Sequence, residues 1–233
     1  MLHHSGEVYH GDCFEIMPKL PDNSVDMILC DLPYGATQNK WDSVIPLEPL
    51  WEQYLRIIKD NGAIVLTAQT PFDKVLGSSN ISMLKYEWIW QKPQGTGHLN
   101  AKRMPLKNHE NVLVFYKKPP VYNPQMEGDE LRVVKRSGKK SQTTNYGDFT
   151  LLKKSEYKGR YPVTIQAFDR DRTCLHPTQK PVALFEYLIR TYTNEGDTVM
   201  DNCAGSGTTA IACINSGRNY ILIEQDDEYY QMA

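Results

Sequence analysis

The chain has 233 residues, 40% of them hydrophobic and 23% charged, and a formal net charge of -2. That is enough for one substantial core, or a core plus a small lobe, and it excludes a mainly disordered, collagenous or fibrous chain. No run of about 18 apolar residues occurs, so no membrane-spanning helix and no membrane partner are expected, and MLHHSGEVYHGD lacks the apolar stretch of a secretory signal. Five cysteines (Cys13, Cys30, Cys174, Cys203, Cys213) without a C-x-x-C pairing argue against a disulfide framework or a zinc site, and for a reducing cytoplasm.

In chain order, Glu7 to His10 reads as a short strand and Val25 to Cys30 as a buried one. Pro46 to Asp60 repeats apolar residues at helical spacing (Leu47, Leu50, Trp51, Tyr54, Leu55, Ile58), and Asn61-Gly62 is the expected helix stop. Ala63 to Thr67 is another buried strand, and such runs separated by helices predict a parallel α/β sheet. Tyr86 to Trp90 and Asn111 to Tyr116 are two more strands, joined by the basic stretch GTGHLNAKRMPLKNHE. From 119 to about 173 the periodicity collapses, which predicts an irregular insertion or small lobe, too long for an ordinary connection. Regularity returns with HPTQKP (176–181), a helix from Val182 to Thr193, a strand from Thr198 to Asp201 and a glycine turn, AGSGTT (204–209). A helix from Thr208 to Ser216 and a strand from Asn219 to Glu224 follow. The chain ends at DDEYYQMA, inside a helical pattern, as a sequence lacking its last turns would.

Charge is unevenly spread. Lys85 to Arg160 holds 16 basic residues against 7 acidic ones, while the rest of the chain holds 10 against 21. A charged, solvated loop is the plain reading; a surface that meets a polyanion such as DNA or RNA is the sharper one.

Strand, Gly-x-Gly turn, helix and a strand ending in an acid make a nucleotide-binding βαβ pattern. Gly205 and Gly207 are placed to bring backbone close to a ligand, Glu224 to accept from ribose hydroxyls, and the helix start at Thr208 to offer N–H groups to an anion. The third glycine of a dinucleotide fingerprint is replaced by Ala210, which weakens that form only slightly. A second constellation, Asp31-Leu32-Pro33-Tyr34, directly follows a buried strand, at the end where open α/β sheets bind ligands. Asp31 and a backbone carbonyl suit an amino group on a flat ring, with Tyr34 stacking on that ring, worth about 1–3 kcal/mol per base. The same residues also suit a plain Asx-type turn with Tyr34 as a packing residue, and the tetrapeptide alone does not choose.

Together these residues resemble the S-adenosylmethionine-dependent amino-methyltransferases of DNA, and in motif order the β-class. DLPY (31–34) precedes DNCAGSGTT (201–209), HPTQKP lies just upstream of the latter, and GDCFEIMPKLPDNSVDMILCDLPYG matches as well. The resemblance covers nearly the whole chain apart from about 119–173. It implies a Rossmann-like class I methyltransferase fold, α/β, with a mostly parallel seven-stranded sheet, one strand reversed and helices on both faces. Residues 1–118 and 174–233 would form the catalytic domain and 119–173 a target-recognition insert.

The reaction implied is site-specific transfer of a methyl group from S-adenosylmethionine to the exocyclic N6 of a flipped adenine. Asp31, Pro33 and Tyr34 would form the catalytic turn, Asp31 accepting from the amine and also bordering the cofactor. Asp12 and Cys13 would face the cofactor's adenine; His176, Thr178 and Lys180 would close over its methionine end, Lys180 near the carboxylate. Asp201, Gly205, Gly207 and Thr208 would line the pocket and Glu224 hold the ribose. A solvated helix-start lysine and a loop histidine are the plainer readings of Lys180 and His176. No metal is implied. Lys102, Arg103, Lys107, Lys135, Arg136, Lys139 and Lys140 are candidates for phosphate contacts, though solubility explains each of them singly as well. Double-stranded DNA is the expected partner, with a second copy of the chain and a cognate restriction endonuclease as partners the resemblance allows, in a bacterial, archaeal or phage-infected cell.

The chain departs from the family pattern at two places: Leu32 stands where the first proline of Asp-Pro-Pro-Tyr is usual, and Cys203 where an aromatic precedes the cofactor glycines. Neither removes a catalytic atom. Competing readings are the same chemistry on cytosine N4 or a glutamine amide, a catalytically silent DNA-binding relative, and an NAD-dependent dehydrogenase. Asp31 at the head of the tetrapeptide favours adenine over cytosine, and the motif order disfavours glutamine. The intact motifs speak against a silent binder, and a dehydrogenase leaves DLPY and the basic stretch unused.

Overall fold

The computed structural model describes residues 5–35, 43–135, 141–143, 147–149, 154–171 and 179–233. In chain order the elements are β1 (Gly6–His10), α1 (Cys13–Ile16), β2 (Val25–Asp31), α2 (Leu47–Ile57), β3 (Ile58–Ala68), α3 (Phe72–Ser79), β4 (Leu84–Thr96) and β5 (Lys107–Phe115). The second half continues with β6 (Glu127–Lys135), β7 (Ser141–Thr143), β8 (Gly147–Phe149), β9 (Lys154–Arg160), β10 (Ile165–Ala167), α4 (Val182–Tyr192), β11 (Thr198–Asp201), α5 (Thr208–Ser216), β12 (Asn219–Glu224) and α6 (Asp227–Met232).

The main sheet runs β1-β12-β11-β2-β3-β5-β4-β10. Every pairing in it is parallel except those of β5, which runs against both β3 and β4. The seven expected strands, one of them reversed, are thus joined by an eighth, the three-residue β10 beside β4. Strand residues alternate between two cores. Ile28 and Cys30 of β2, with Ile64 and Leu66 of β3, pack on one face against Leu50, Tyr54 and Ile57 of α2 and Leu76 of α3. Met27, Leu29, Ala63 and Val65 point to the other face, against Leu184, Leu188 and Ile189 of α4 and Cys213 of α5. Burial on both faces explains why these strands read as unbroken apolar runs. Among the described residues no helix is long and apolar enough to cross a membrane.

Several boundaries differ from the sequence expectation. α2 ends at Ile57, and Asn61-Gly62 lies inside β3 rather than at a helix stop. The reason is steric: a Cβ on Gly62 would stand 2.7 Å from the Asp26 carbonyl oxygen and 2.7 Å from the Ile58 side chain. Glycine here serves close approach of β3 to β2, where the register shifts between Val25 and Met27. The chain divides into two compact units, 1–123 with 164–233, and 124–163, against the expected insert of 119–173. The flanks join the first unit: the Asn123 N–H donates to the Thr191 carbonyl at 2.8 Å, and the Trp90 indole to the Phe168 carbonyl at 2.9 Å. The second unit is more regular than its sequence suggested, with β6 paired antiparallel to β9 and β7 to β8.

Two glycine substitutions should separate steric from entropic roles. Gly62→Ala is expected to destabilise by about 1–3 kcal/mol, because the new methyl meets the Asp26 backbone carbonyl, which cannot move aside, as well as the Ile58 side chain. Gly77→Ala, inside α3 with its nearest neighbour at 3.4 Å, should be neutral or up to about 1 kcal/mol stabilising. Urea unfolding of both variants checks this; equal effects would refute the steric reading of Gly62.

Candidate active site

The parallel strands end at one edge, and the residues at those ends surround a cavity of about 680 Å³. That volume is in the range of ordinary small-molecule sites, about 300–1,000 Å³. Asp31, Pro33 and Tyr34 from the turn after β2 line one part. Asp201, Gly205 and Thr208, with Glu224 at the end of β12, line another, and Asp12 and Cys13 at the start of α1 a third. Lys180 reaches the same space from the segment before α4.

Asp31 is the centre of the first part. One carboxylate oxygen accepts from the Tyr34 hydroxyl at 2.6 Å and from the Thr67 hydroxyl; the other accepts from Lys180 Nζ at 2.5 Å. Thr67 stands opposite Asp31 in the β2–β3 ladder, so the sheet register places this contact. Lys180 is buried, its side chain only 5% exposed, with Glu110 Oε2 at 3.3 Å on its other side. Glu110 in turn pairs with Lys92, and Glu110 stands opposite Trp90 in the β4–β5 ladder. The result is a row of alternating charge, Lys92–Glu110–Lys180–Asp31. Burial works against the Lys180 charge, and the Asp31 and Glu110 carboxylates more than reverse this, holding its pKa above the ordinary lysine value. Tyr34 is pushed well up by burial and by Asp31, so its phenol remains a neutral donor. Its ring lies against Phe72, with centroids 5.4 Å apart. Lys180 is therefore not a solvated helix-start residue; its ammonium is engaged by the carboxylate of the DLPY turn.

The glycine turn is held from within. One Asp201 oxygen accepts from the Cys203 N–H at 3.0 Å and the other from the Thr209 hydroxyl at 2.5 Å. Burial raises the Asp201 pKa to about 6. Glu224 accepts from the Gly205 N–H at 2.7 Å and the Asp226 N–H at 2.9 Å, tying the turn to the end of β12. Asp12 caps α1 through the Phe14 N–H at 2.7 Å. Gly205 and Gly207 both have positive φ, 53° and 83°. Around Gly205 nothing lies within 4 Å of where a Cβ would stand, whereas a Cβ on Gly207 would come 3.0 Å from Ala233 Cα. Gly207 is not among the residues lining the cavity, and its nearest neighbour is Ala233. Burial pushes the Cys13 thiol at this end up to about 12 and Cys30 well above its usual value, which disfavours the reactive thiolate.

His176 and Thr178 lie outside the described residues, as do Arg136, Lys139 and Lys140, and nothing is described of the Lys135 side chain. Lys102 and Arg103 are exposed on the turn between β4 and β5. Lys107, at the start of β5, donates to Gln69 Oε1 at 3.0 Å. The sequence reading missed Thr67, Lys92 and Glu110. The first carries a signal, since it ends a buried strand at the ligand-binding edge; the two charges were absorbed into the count of a basic stretch. Asn202, which lines the cavity, and Tyr54, whose hydroxyl donates to it at 2.5 Å, were also missed.

Asp201 makes a pH prediction. The folded state holds its proton more tightly than an unfolded chain, where a carboxylate titrates near pH 4. Its contribution to stability is therefore greatest below pH 4 and falls as the pH rises to about 6. Asp201→Asn keeps an acceptor for Cys203 and a partner for Thr209 but removes the titration. Between pH 4 and 7 the unfolding free energy of the native chain should fall relative to the variant by about 2–3 kcal/mol. A difference that stays flat over this range would refute the assignment.

The sequence from residue 25 to 233 matches the N6_N4_Mtase family, described as DNA methylase. The DNA adenine methyltransferase YhdJ of Escherichia coli (strain K12) is 29% identical over 97% of this chain and 80% of its own length. The type II methyltransferase M.HpaI of Haemophilus parainfluenzae is 28% identical over 95% of this chain and 71% of its own. The M1.HpyAVI–SAM complex superposes with a TM-score of 0.66 at 27% identity, covering 98% of both chains. The cytosine-N4-specific PvuII DNA methyltransferase has a TM-score of 0.70 at 17% identity, over 98% of this chain and 84% of its own, and shares the fold. Matched along most of its length, with the family's sheet and a cofactor-sized cavity at the carboxyl edge, this chain belongs to the S-adenosylmethionine-dependent DNA methylases of the N6_N4_Mtase family.

Proposed function

We propose that this methyltransferase acts on the exocyclic N6 of adenine, flipped from a specific site in double-stranded DNA. The observation that carries the reading is the state of Asp31. A carboxylate has about four lone-pair positions. Among the described residues three are taken, by Tyr34, Thr67 and Lys180, and the fourth is left on a carboxylate still 23% exposed toward the cavity. That is one acceptor for one N–H of an incoming amine. The adenine resemblance is supported by the acid at the head of the tetrapeptide and by the similarity to YhdJ, itself an adenine methyltransferase.

The residues around the second part of the cavity fit S-adenosylmethionine. The volume suffices, Gly205 leaves open space at the turn, and Asp12 and Glu224 offer carboxylates on the cavity wall. Asp12, Cys13, Asp201, Gly205, Thr208 and Glu224 would hold it, with Asp31 at the border between the two parts. When bound, it supplies an electrophilic methyl group on a sulfonium.

The chain's own residues then do the following. The adenine amine is a weak nucleophile because its lone pair is delocalised into the ring. Asp31 accepts one N–H and the main chain of the Leu32-Pro33 segment the other, which favours a pyramidal nitrogen with its lone pair directed outward. Lys180, Thr67 and the Tyr34 hydroxyl fix the carboxylate so that it need not reorganise as charge develops. The Tyr34 ring offers a stacking face for the base. Lys180 is already charged, so Asp31 is the group placed to take the proton that the nitrogen sheds once methylated. Flipping the base costs a few kcal/mol, offset by phosphate contacts from the basic stretch that includes Lys102 and Arg103. Target recognition is assigned to the 124–163 unit, within the 119–173 segment, on the basic character of its sequence and its separation from the catalytic unit.

Incubation with unmethylated DNA and methyl-labelled cofactor, followed by mass spectrometry of the nucleosides, should give N6-methyladenine. Asp31→Ala should lower the yield by about 100-fold or more. N4-methylcytosine would keep the mechanism and overturn the acceptor, and an unlabelled digest with cofactor binding intact would overturn DNA as substrate. Exchange of 124–163 for the corresponding unit of a relative with another site should change the sequence methylated; unchanged specificity would remove recognition from that unit.

A further inference from the structure

The turn between β4 and β5 (97–106) combines features that the catalytic machinery does not use. β5 is the reversed strand, so β4 ends and β5 begins at the edge where Asp31 and Glu224 lie. Thr96, the last residue of β4, lines the cavity itself. The turn therefore projects from the cavity's mouth.

It is built, not slack. Gly97 takes a positive φ of 94°, and a short 3-10 turn follows over His98–Asn100. Asn100 N–H donates to the Gly97 carbonyl at 2.9 Å, Arg103 N–H to the Asn100 carbonyl at 2.8 Å and Met104 N–H to the same carbonyl at 3.0 Å. At the tip of this ordered turn Leu99 has a relative exposure of 102%, and Met104 nearby is 58% exposed. A fully exposed leucine on a hydrogen-bonded turn is not explained by packing. Its neighbours are cationic: Lys102, Arg103 and Lys107 fall within residues 97–109, which contain no Asp or Glu. An apolar tip flanked by cations, beside a cavity that must receive a base, matches duplex DNA in both charge and shape. Apolar side chains of this kind enter base steps as wedges, and cations beside them meet phosphates.

We propose that Leu99 inserts into the base stack beside the target nucleotide, occupying the space the flipped base leaves, while Lys102 and Arg103 hold the flanking phosphates. This rests on the reading of the cavity as a site for a flipped base. An inserted side chain acts by holding the extrahelical state open, and matters less when the target has no partner base to return to.

The test uses the full chain and a duplex oligonucleotide carrying the site found by sequencing plasmid DNA that the native protein has methylated. A second duplex is identical but has an abasic position opposite the target. Leu99→Ala should lower kcat/KM on the matched duplex by about tenfold or more and leave the abasic duplex within about twofold of the native chain, with melting temperature and cofactor binding unchanged. Leu99→Phe should retain activity on both. The Lys102→Gln, Arg103→Gln pair should instead weaken both duplexes alike and flatten the salt dependence. Native-level activity of Leu99→Ala on the matched duplex, or an equal loss on both, would overturn the wedge. A native chain that methylates neither duplex nor plasmid would overturn the underlying reading of the cavity instead.

Discussion

A lysine ammonium buried between two carboxylates sets the geometry of the catalytic edge. Lys180 comes from the segment before α4, Asp31 from the end of β2 and Glu110 from β5, and Lys92 of β4 completes the row. Taking such charges out of water costs several kcal/mol per ion unless each is paired, and removing one member of a buried pair costs about 3–5 kcal/mol by stranding the other. The alternation of sign resolves this only when all four segments are in place together. The site is thus a condition of folding the edge of the sheet as well as a product of it, and the Asp31 carboxylate is oriented by the fold itself.

The remaining acids at this edge serve the backbone. Asp201 and Glu224 have their oxygens on N–H and hydroxyl groups of the glycine turn, so that the turn keeps its shape without help from a ligand. Burial raises the Asp201 pKa to about 6, which places a titratable joint inside the glycine turn. The Asp31 row and the glycine turn are therefore held largely by different hydrogen-bond networks around one cavity.

Much of this was legible in the sequence, unevenly. The C-terminal βαβ unit was located to the residue, Thr198–Asp201, Thr208–Ser216 and Asn219–Glu224, because its strands are apolar runs and its helix is bounded by Gly207 and Gly217. The buried strands β2 and β3 were legible as unbroken apolar runs, the mark of burial on both faces. What failed was information held between segments. Gly62 looked like a helix stop because its true constraint, the Asp26 carbonyl, lies on another strand. The ion pairs of Lys180 went unread because its partners, Asp31 and Glu110, are far away in the chain. β6 and β9 were hidden because Leu131 and Val133 are exposed, so the ribbon carries no buried stripe to read.

The reversed strand β5 has a consequence for how such a protein can change. The hairpin it forms with β4 sets Trp90 opposite Glu110 in the ladder, while the 97–106 turn closes the hairpin beyond them. Residues can be gained, lost or exchanged at that end without shifting the register that holds Glu110 against Lys180. Variation in what the protein touches is thereby uncoupled from variation in what it catalyses. A lineage can try new contacts on its polymer at the rim while inheriting the reaction intact, and the sheet's single break in direction is what makes the two inheritable separately.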